Sequence, residues 1–523
     1  MPNDAVDMQS NTALRRLKPT EIALLGLIVL GIVANCFFNL AGGQLQDWDE
    51  AGHGVTAYEM IESGDFLVNT YNHKPDYSNT TKPPLSFWSV ALGYSLFGFN
   101  PFGLRFFSAL FTCLTLFLTL IFCYKTISTR STIFTGFVLL SLYKFFQHHN
   151  ARTGDPDALF LLFNTAGLLI VLFWPKRHAA YRVASFLAGL AFLTKSFHAI
   201  PIVLLLFIFF LIDFPLSRQS LKQAVLCVLM ALAPVALWGI FRCQFDGTLY
   251  FKHIILYDLV KRSTETIEGH VGGPFYYVKF VVGTYWAATL ALALALAIIL
   301  TLRVKTWGMP RLAAIPLHAN GKTISKMALA ATLPLFLYSL SASKLFWYSY
   351  PTFPFLSMLL GIYFERACAR IEKQGKVFWG TPLILCVLGI GEICALTSIY
   401  AHSVKQDPLH STMKELGEIS DNRHAVLFLD GGDWRPADVL AAKLYGDFRL
   451  MPGKVSTHKS AGNKRKIFLL SRADPSIKRI DSEIHGQSAG GEHRRRLPAP
   501  SPPPVDGNEQ PEQSAANAAR QGQ

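Results

Sequence analysis

Residues 22–50 read IALLGLIVLGIVANCFFNLAGGQLQDWDE. The first part is an apolar run of nearly 20 residues, the length a helix needs to cross a bilayer and longer than the roughly 7–15 of a secretory leader. Residues 1–20 are polar and carry Arg15, Arg16 and Lys18. No cleavable signal peptide is expected; the run reads as a first spanning helix with its N-terminus in the cytoplasm. A polar loop follows, from Gly43 to Leu85. It opens on Asp47, Asp49 and Glu50 and closes on Thr80-Thr81-Lys82-Pro83-Pro84. Ionisable groups at a membrane boundary are expensive unless they stay wet or serve a function. The loop therefore reads as the floor of a site.

Composition points the same way. The chain of 523 residues is 51% hydrophobic and 16% charged, where a soluble protein carries about 25% charge. The net charge of +14 comes without a nucleic-acid recognition motif, so no nucleic-acid partner is expected. Lys and Arg gather instead in short loops, as cytoplasmic loops of membrane proteins do. The eight cysteines lie in or beside apolar runs and form no CxxC. They read as small hydrophobes rather than as a disulfide framework or a zinc cluster.

Further apolar runs at 102–124, 131–147, 158–174, 183–197, 199–214, 222–241, 280–302, 327–342, 347–364 and 377–400 bring the expected number of spans to about eleven, within a range of ten to thirteen. The run 85–99 is marginal and reads as interfacial or re-entrant. Basic residues mark alternate connections: Lys125 and Arg130; Lys176, Arg177 and Arg182; Arg218 and Lys222; 303–326; 366–376. These are expected on the cytoplasmic side. The opposite connections, 43–101, 148–157, 242–279, 343–346 and everything beyond 401, hold the carboxylates, histidines and motif-like residues.

Beyond residue 401 the composition changes. Ser411–Ile419 reads as a helix, Ala425–Asp430 as a strand, Pro436–Tyr445 as a helix with Pro in its first turn, and Lys466–Leu470 as a second strand. The expected domains are a cytoplasmic segment 1–21, a membrane domain 22–401, a small periplasmic α/β domain 402–483 and a disordered tail 484–523, rich in Gly, Pro, Gln and Ala.

Each polar candidate has a bland reading beside the chemical one. Asp49 and Glu50 suit a helix N-terminus or a catalytic base, with Val55, Ala57, Met60 and Ile61 forming the apolar stripe of a helix lying on the membrane surface. Lys82 snorkels or holds an anion, rigidly placed by two prolines. Asp157 caps a helix, yet Arg152 and Asp155 beside it exceed what capping requires. His148 and His149, adjacent in sequence, point apart and read poorly as metal ligands. Lys195, Arg262 and Lys344 are each ordinary alone. Together, on a face where basic residues are disfavoured, they call for an anionic partner such as a lipid phosphate.

Asp49-Glu50, Glu59-Met60, Gly64-Asp65-Phe66, Lys82-Pro83-Pro84-Leu85, Trp88, Arg105, the run Ala151 to Asp157, Leu193-Thr194-Lys195 and Lys344 with Tyr348 and Pro351 stand in the order found in one group. Over residues 20–365 the chain resembles the GT-C class of membrane glycosyltransferases, among them the protein O-mannosyltransferases and the lipid A aminoarabinose transferases. The resemblance implies an all-α polytopic membrane fold with extracytoplasmic juxtamembrane helices and a small C-terminal α/β domain. It implies transfer of a sugar from a polyprenyl phosphate to an acceptor hydroxyl on a lipid, glycan or protein, with inversion. Asp49 and Glu50 would be catalytic. Lys82, Arg262 and Lys195 would hold the donor phosphate. Arg152, Asp155, Asp157, Lys344 and Tyr348 would line or support the donor cavity. Aminoarabinose transferases carry a Glu before the Lys-Pro and a later His that suit zinc. Here Thr81 and Leu259 stand in those places, so the residues do not support a metal. The implied location is a bacterial inner membrane, with the site periplasmic. A polyprenyl-lipid transporter and a non-catalytic lipid-binding subunit are the rival readings.

Overall fold

The computed structural model describes residues 17–71, 74–75, 82–266, 269–301, 321–372, 380–419, 424–430, 435–452, 467–471 and 477–480. Thr81, residues 1–16 of the N-terminal segment and the tail 484–523 lie outside these. The fold is mostly helical. Among the described residues six helices are long and apolar enough to cross a membrane, seven if the pair Tyr276–Thr284 and Trp286–Leu300, bent by 77°, counts as one span. The sequence led to an expectation of about eleven, because hydropathy counts apolar runs without seeing breaks or joins. The runs at 183–197 and 199–214 are the helices His178–Lys195 and Ile200–Asp213, joined by a single 3-10 turn, Ser196–Ala199. The run at 131–147 is the helix Thr129–Leu140 followed by the short helix Tyr143–Gln147.

Two apolar cores hold the membrane part together. One joins Ile28, Ile32 and Cys36 of the first helix, Pro19–Phe37, to Val138, Leu139 and Phe353. The other joins Leu168 and Leu172 to Ala184, Ile202 and Met358. Helix Pro84–Phe97 crosses helix Pro101–Thr126 with glycine against glycine. A methyl group added at Gly93 would stand 2.1 Å from the carbonyl oxygen of Gly103. The turn between the two helices runs through Gly98 at φ +83°, a conformation that glycine adopts without strain.

The C-terminal unit is a four-stranded sheet in the order Arg449–Pro452, Val426–Asp430, Ile467–Ser471, Ile477–Ile480. The first three strands are parallel and the last is antiparallel. Helices Pro408–Glu418 and Pro436–Gly446 pack with it. Its core does not stop at its own boundary. Ala51, Val55 and Tyr58 of helix Asp49–Ser63 share one apolar cluster with Leu440, Leu427 and Met413. Helix Asp49–Ser63 therefore does not lie open on a membrane surface. Residues from Glu50 to Met60 are buried apart from partly exposed Gly52. Small residues explain why: at Gly54 an added methyl group would meet Leu440 at 2.7 Å, so the partner helix can approach closely. Polar bonds fix the joint. Lys443 pairs with Glu59 at 3.0 Å, both side chains being buried, and the Tyr58 hydroxyl donates to Asp447 at 2.7 Å. The backbone N–H of Ala437 donates to the Asp47 carboxylate at 3.0 Å. Asp47 thus sits at the start of helix Pro436–Gly446, where the dipole favours a negative charge.

Candidate active site

A cavity of about 490 Å³ opens between the membrane helices and the C-terminal unit. Its wall draws on all five connections that the sequence assigns to one face: Asp47, Trp48, Asp49, Tyr71 and Lys82; His149; Tyr257, Arg262 and His270; Leu345; Pro436 and Val439. Lys195, Trp347 and Tyr348 complete it.

Asp49 is the first residue of its helix, where unpaired N–H groups favour a carboxylate. The residue before it, Trp48, holds φ +65°. His149 and Ser196, the latter next to Lys195, also have positive φ. Trp48 and His149 line the cavity, and strained non-glycine residues of this kind cluster at functional sites. The Asp49 side chain remains about a third exposed, and its Oδ2 stands 3.7 Å from Nδ1 of His149. Burial pushes its carboxyl up, but His149, Lys82, His53 and Lys195 together bring it down to about 2. Asp49 is ionised at any working pH.

The cations face it. Lys82 Nζ lies 3.6 Å from Asp258 Oδ1, and Arg262 Nε lies 3.7 Å from the same oxygen. Arg262 Nη1 also donates to the Tyr348 hydroxyl at 3.2 Å. The Lys82 backbone is pinned, its carbonyl accepting from Asn69 Nδ2 at 3.1 Å and from the Tyr250 hydroxyl at 2.7 Å. Lys195 ends its helix, where the carbonyl end of the dipole suits a cation. It forms an ion pair with Asp157, with its ammonium 5.3 Å from the Tyr348 ring centre. Three cations thus share two carboxylates, Asp157 and Asp258, which leaves positive charge opposite Asp49.

Other expected site residues lie elsewhere. Glu50 is fully buried and faces away from the cavity. Its oxygens accept from Arg105 Nε at 2.6 Å, Arg105 Nη2 at 3.0 Å, Gln46 N at 2.7 Å and Gly154 N at 3.1 Å. With four donors on one carboxylate, it braces the loop rather than meeting a ligand. Arg105 also donates to the carbonyls of Leu40, Gly42 and Gln44, so the pair shapes the approach to Asp49. Arg152 turns to the end of the first helix, donating to the carbonyls of Asn35, Cys36 and Asn39. It lines a second cavity of about 320 Å³ instead. Burial, with Arg105 nearby, lowers its guanidinium to about 10. Lys344 Nζ donates to the carbonyls of Ser339 at 3.0 Å and Ser341 at 2.5 Å, capping a helix end outside the cavity lining. Asp155 and Asp157 act behind the wall, on His149 and Lys195.

The sequence reading did not single out His149, His270, Tyr257, Trp347 or Asp258 as site residues. His148 and His149 point apart, as the sequence predicts: His149, at φ +53°, lines the main cavity and His148 the second one. Among the described residues no group of three His, Cys, Asp or Glu is placed to hold a metal ion.

A helical membrane unit with its ionisable residues gathered at one end, beneath a small α/β unit, agrees with the fold that the resemblance to GT-C membrane glycosyltransferases implies. ArnT from Cupriavidus metallidurans, solved with bound undecaprenyl phosphate, superposes with a TM-score of 0.64 at 16% identity, over 86% of this chain and 92% of that one. Residues 81–238 match the sequence profile of the dolichyl-phosphate-mannose-protein mannosyltransferase family. An uncharacterized protein of Aquifex aeolicus (strain VF5) is 33% identical over 172 residues, 32% of this chain and 34% of that one. The undecaprenyl phosphate-alpha-4-amino-4-deoxy-L-arabinose arabinosyl transferase of Pseudomonas savastanoi pv. phaseolicola (strain 1448A / Race 6) is 25% identical over 241 residues, 45% of this chain and 44% of that one. The chain spans less than half the length of these two curated relatives.

Proposed function

We propose that the protein transfers a sugar from a polyprenyl-phosphate donor to an acceptor hydroxyl at the periplasmic face of a bacterial inner membrane. The observation that carries this reading is one ionised carboxylate, Asp49, facing Lys82, Arg262 and Lys195 across a single cavity. A phosphate leaves as a stable anion and needs positive charge rather than a proton. Lys82 and Arg262, sharing Asp258, are the groups for its oxygens, with Lys195 behind them. Asp49 accepts the hydrogen bond of the acceptor O–H. The acceptor oxygen bonds to the anomeric carbon from the face opposite the phosphate, the bond from that carbon to the phosphate oxygen breaks, and polyprenyl phosphate departs. The configuration inverts. The proton passes to Asp49 and on to water at the cavity mouth. A carboxyl held near 2 is a weak proton store. Its main contribution is orientation of the hydroxyl and stabilisation of positive charge at the sugar carbon.

A transporter would place its charges at the bilayer midplane, whereas here they collect at one end of the helices. Purified wild type and Asp49→Asn protein, assayed with a polyprenyl-phosphate sugar, test the reading. Transfer is expected to fall at least about a hundredfold, with donor binding retained. An Asp49→Asn protein with full activity would overturn the assignment. Mass spectrometry of lipids, surface glycans and exported proteins from cells with and without the gene identifies the sugar and its acceptor together.

A further inference from the structure

His149 is held more firmly than a cavity-lining histidine needs to be. Its ring stacks on Trp347 at 3.6 Å between centres and 19° between planes. Nδ1 stands 2.9 Å from Asp155 Oδ2 on one side and 3.7 Å from Asp49 Oδ2 on the other. The Asp155 side chain is 1% exposed. The backbone of His149 takes φ +53° to put the ring there. Packing explains none of this alone, because an apolar ring would stack on Trp347 without facing two carboxylates.

We propose that His149 is a positioning residue for Asp49: its imidazolium, clamped between Asp155 and Trp347, holds the Asp49 carboxylate toward the cavity in its reactive orientation. The inference rests on the reading of Asp49 given above. Asp155 acts through His149 as the buried counter-charge. The charged groups around the ring agree. Burial pushes the imidazole down, but Asp155, Asp49 and Asp157 more than offset it, so its proton is held above the ordinary histidine range. His148, next in the chain, is itself driven down to about 4 by burial and by His149, and so stays neutral. On the cavity side stand Lys82 and Arg262, which share Asp258, and Lys195, which pairs with Asp157. The sign follows. His149 is charged below its raised pKa and loses the charge as pH rises through it, so transfer should show a basic limb set by this residue.

The test is the pH profile of steady-state transfer by wild type, His149→Gln, Asp155→Asn and Asp49→Asn. His149→Gln is expected to lower kcat by about tenfold or more, with donor KM within about threefold, and to abolish the basic limb. Asp155→Asn is expected to move that limb to lower pH. Wild-type kcat in His149→Gln, a lower kcat with the limb unchanged, or a loss confined to KM would overturn the proposal. If His149→Gln does not fold, a limb unmoved in Asp155→Asn overturns it as well. Asp49→Asn separates the two levels: if it stays active, the reading of Asp49 fails; if it is inactive while His149→Gln and Asp155→Asn behave as wild type, only the role of His149 fails.

Discussion

At the scale of single residues, Asp49 and Glu50 are neighbours with opposite fates. Asp49 opens onto the cavity, while Glu50 is enclosed by Arg105 and two backbone N–H groups. Breaking a buried pair by removing one partner costs about 3–5 kcal/mol. Glu50→Gln should therefore lower the melting temperature of the purified protein markedly, while transfer per folded molecule stays within a few-fold of wild type. A loss per folded molecule as large as in Asp49→Asn would return Glu50 to the chemistry. The sequence could name the acidic pair but could not divide its roles, because consecutive helical residues point about 100° apart and the direction of the first turn is fixed by Arg105, far along the chain. Lys82 was legible for a firmer reason: its prolines fix the backbone whatever surrounds it.

At the scale of elements, the crossing at Gly93 and Gly103 sets where Lys82 stands, since helix Pro84–Phe97 begins two residues after it. Overpacking a tight contact typically costs 1–3 kcal/mol. Gly93→Ala should destabilise the protein by about that much and raise donor KM more than it lowers kcat, measured by thermal melting and steady-state transfer. Elements bounded by strong local signals were readable. The strand expected at Ala425–Asp430 is Val426–Asp430, and the helix expected at Pro436–Tyr445 is Pro436–Gly446. Arg449–Pro452 and Ile477–Ile480 were not read as strands, for each has only four residues and they depend on partners in the sheet. The break at Ser196–Ala199, which the separate apolar runs 183–197 and 199–214 already mark, delivers Lys195 to the cavity.

At the scale of the whole molecule, the C-terminal unit forms part of the cavity wall. Pro436 and Val439 line the cavity, and the buried Glu59–Lys443 pair ties their helix to the one that carries Asp49. Lys443→Met should destabilise the protein by about 3–5 kcal/mol and lower kcat. The double variant Glu59→Gln, Lys443→Met should recover part of the stability, a coupling that a double-mutant cycle of melting measurements reads directly. None of this joint was visible in the sequence, where its partners belong to unrelated stretches. The bond from Ala437 to Asp47 spans 390 positions. At a synthesis rate of about 5–20 residues per second, on the order of 20–80 s separate the making of those two residues on the ribosome. The carboxylates of the first loop are made long before the unit that covers them, so each newly made molecule passes through a stage in which most of its apolar helices exist and its cavity lacks one wall.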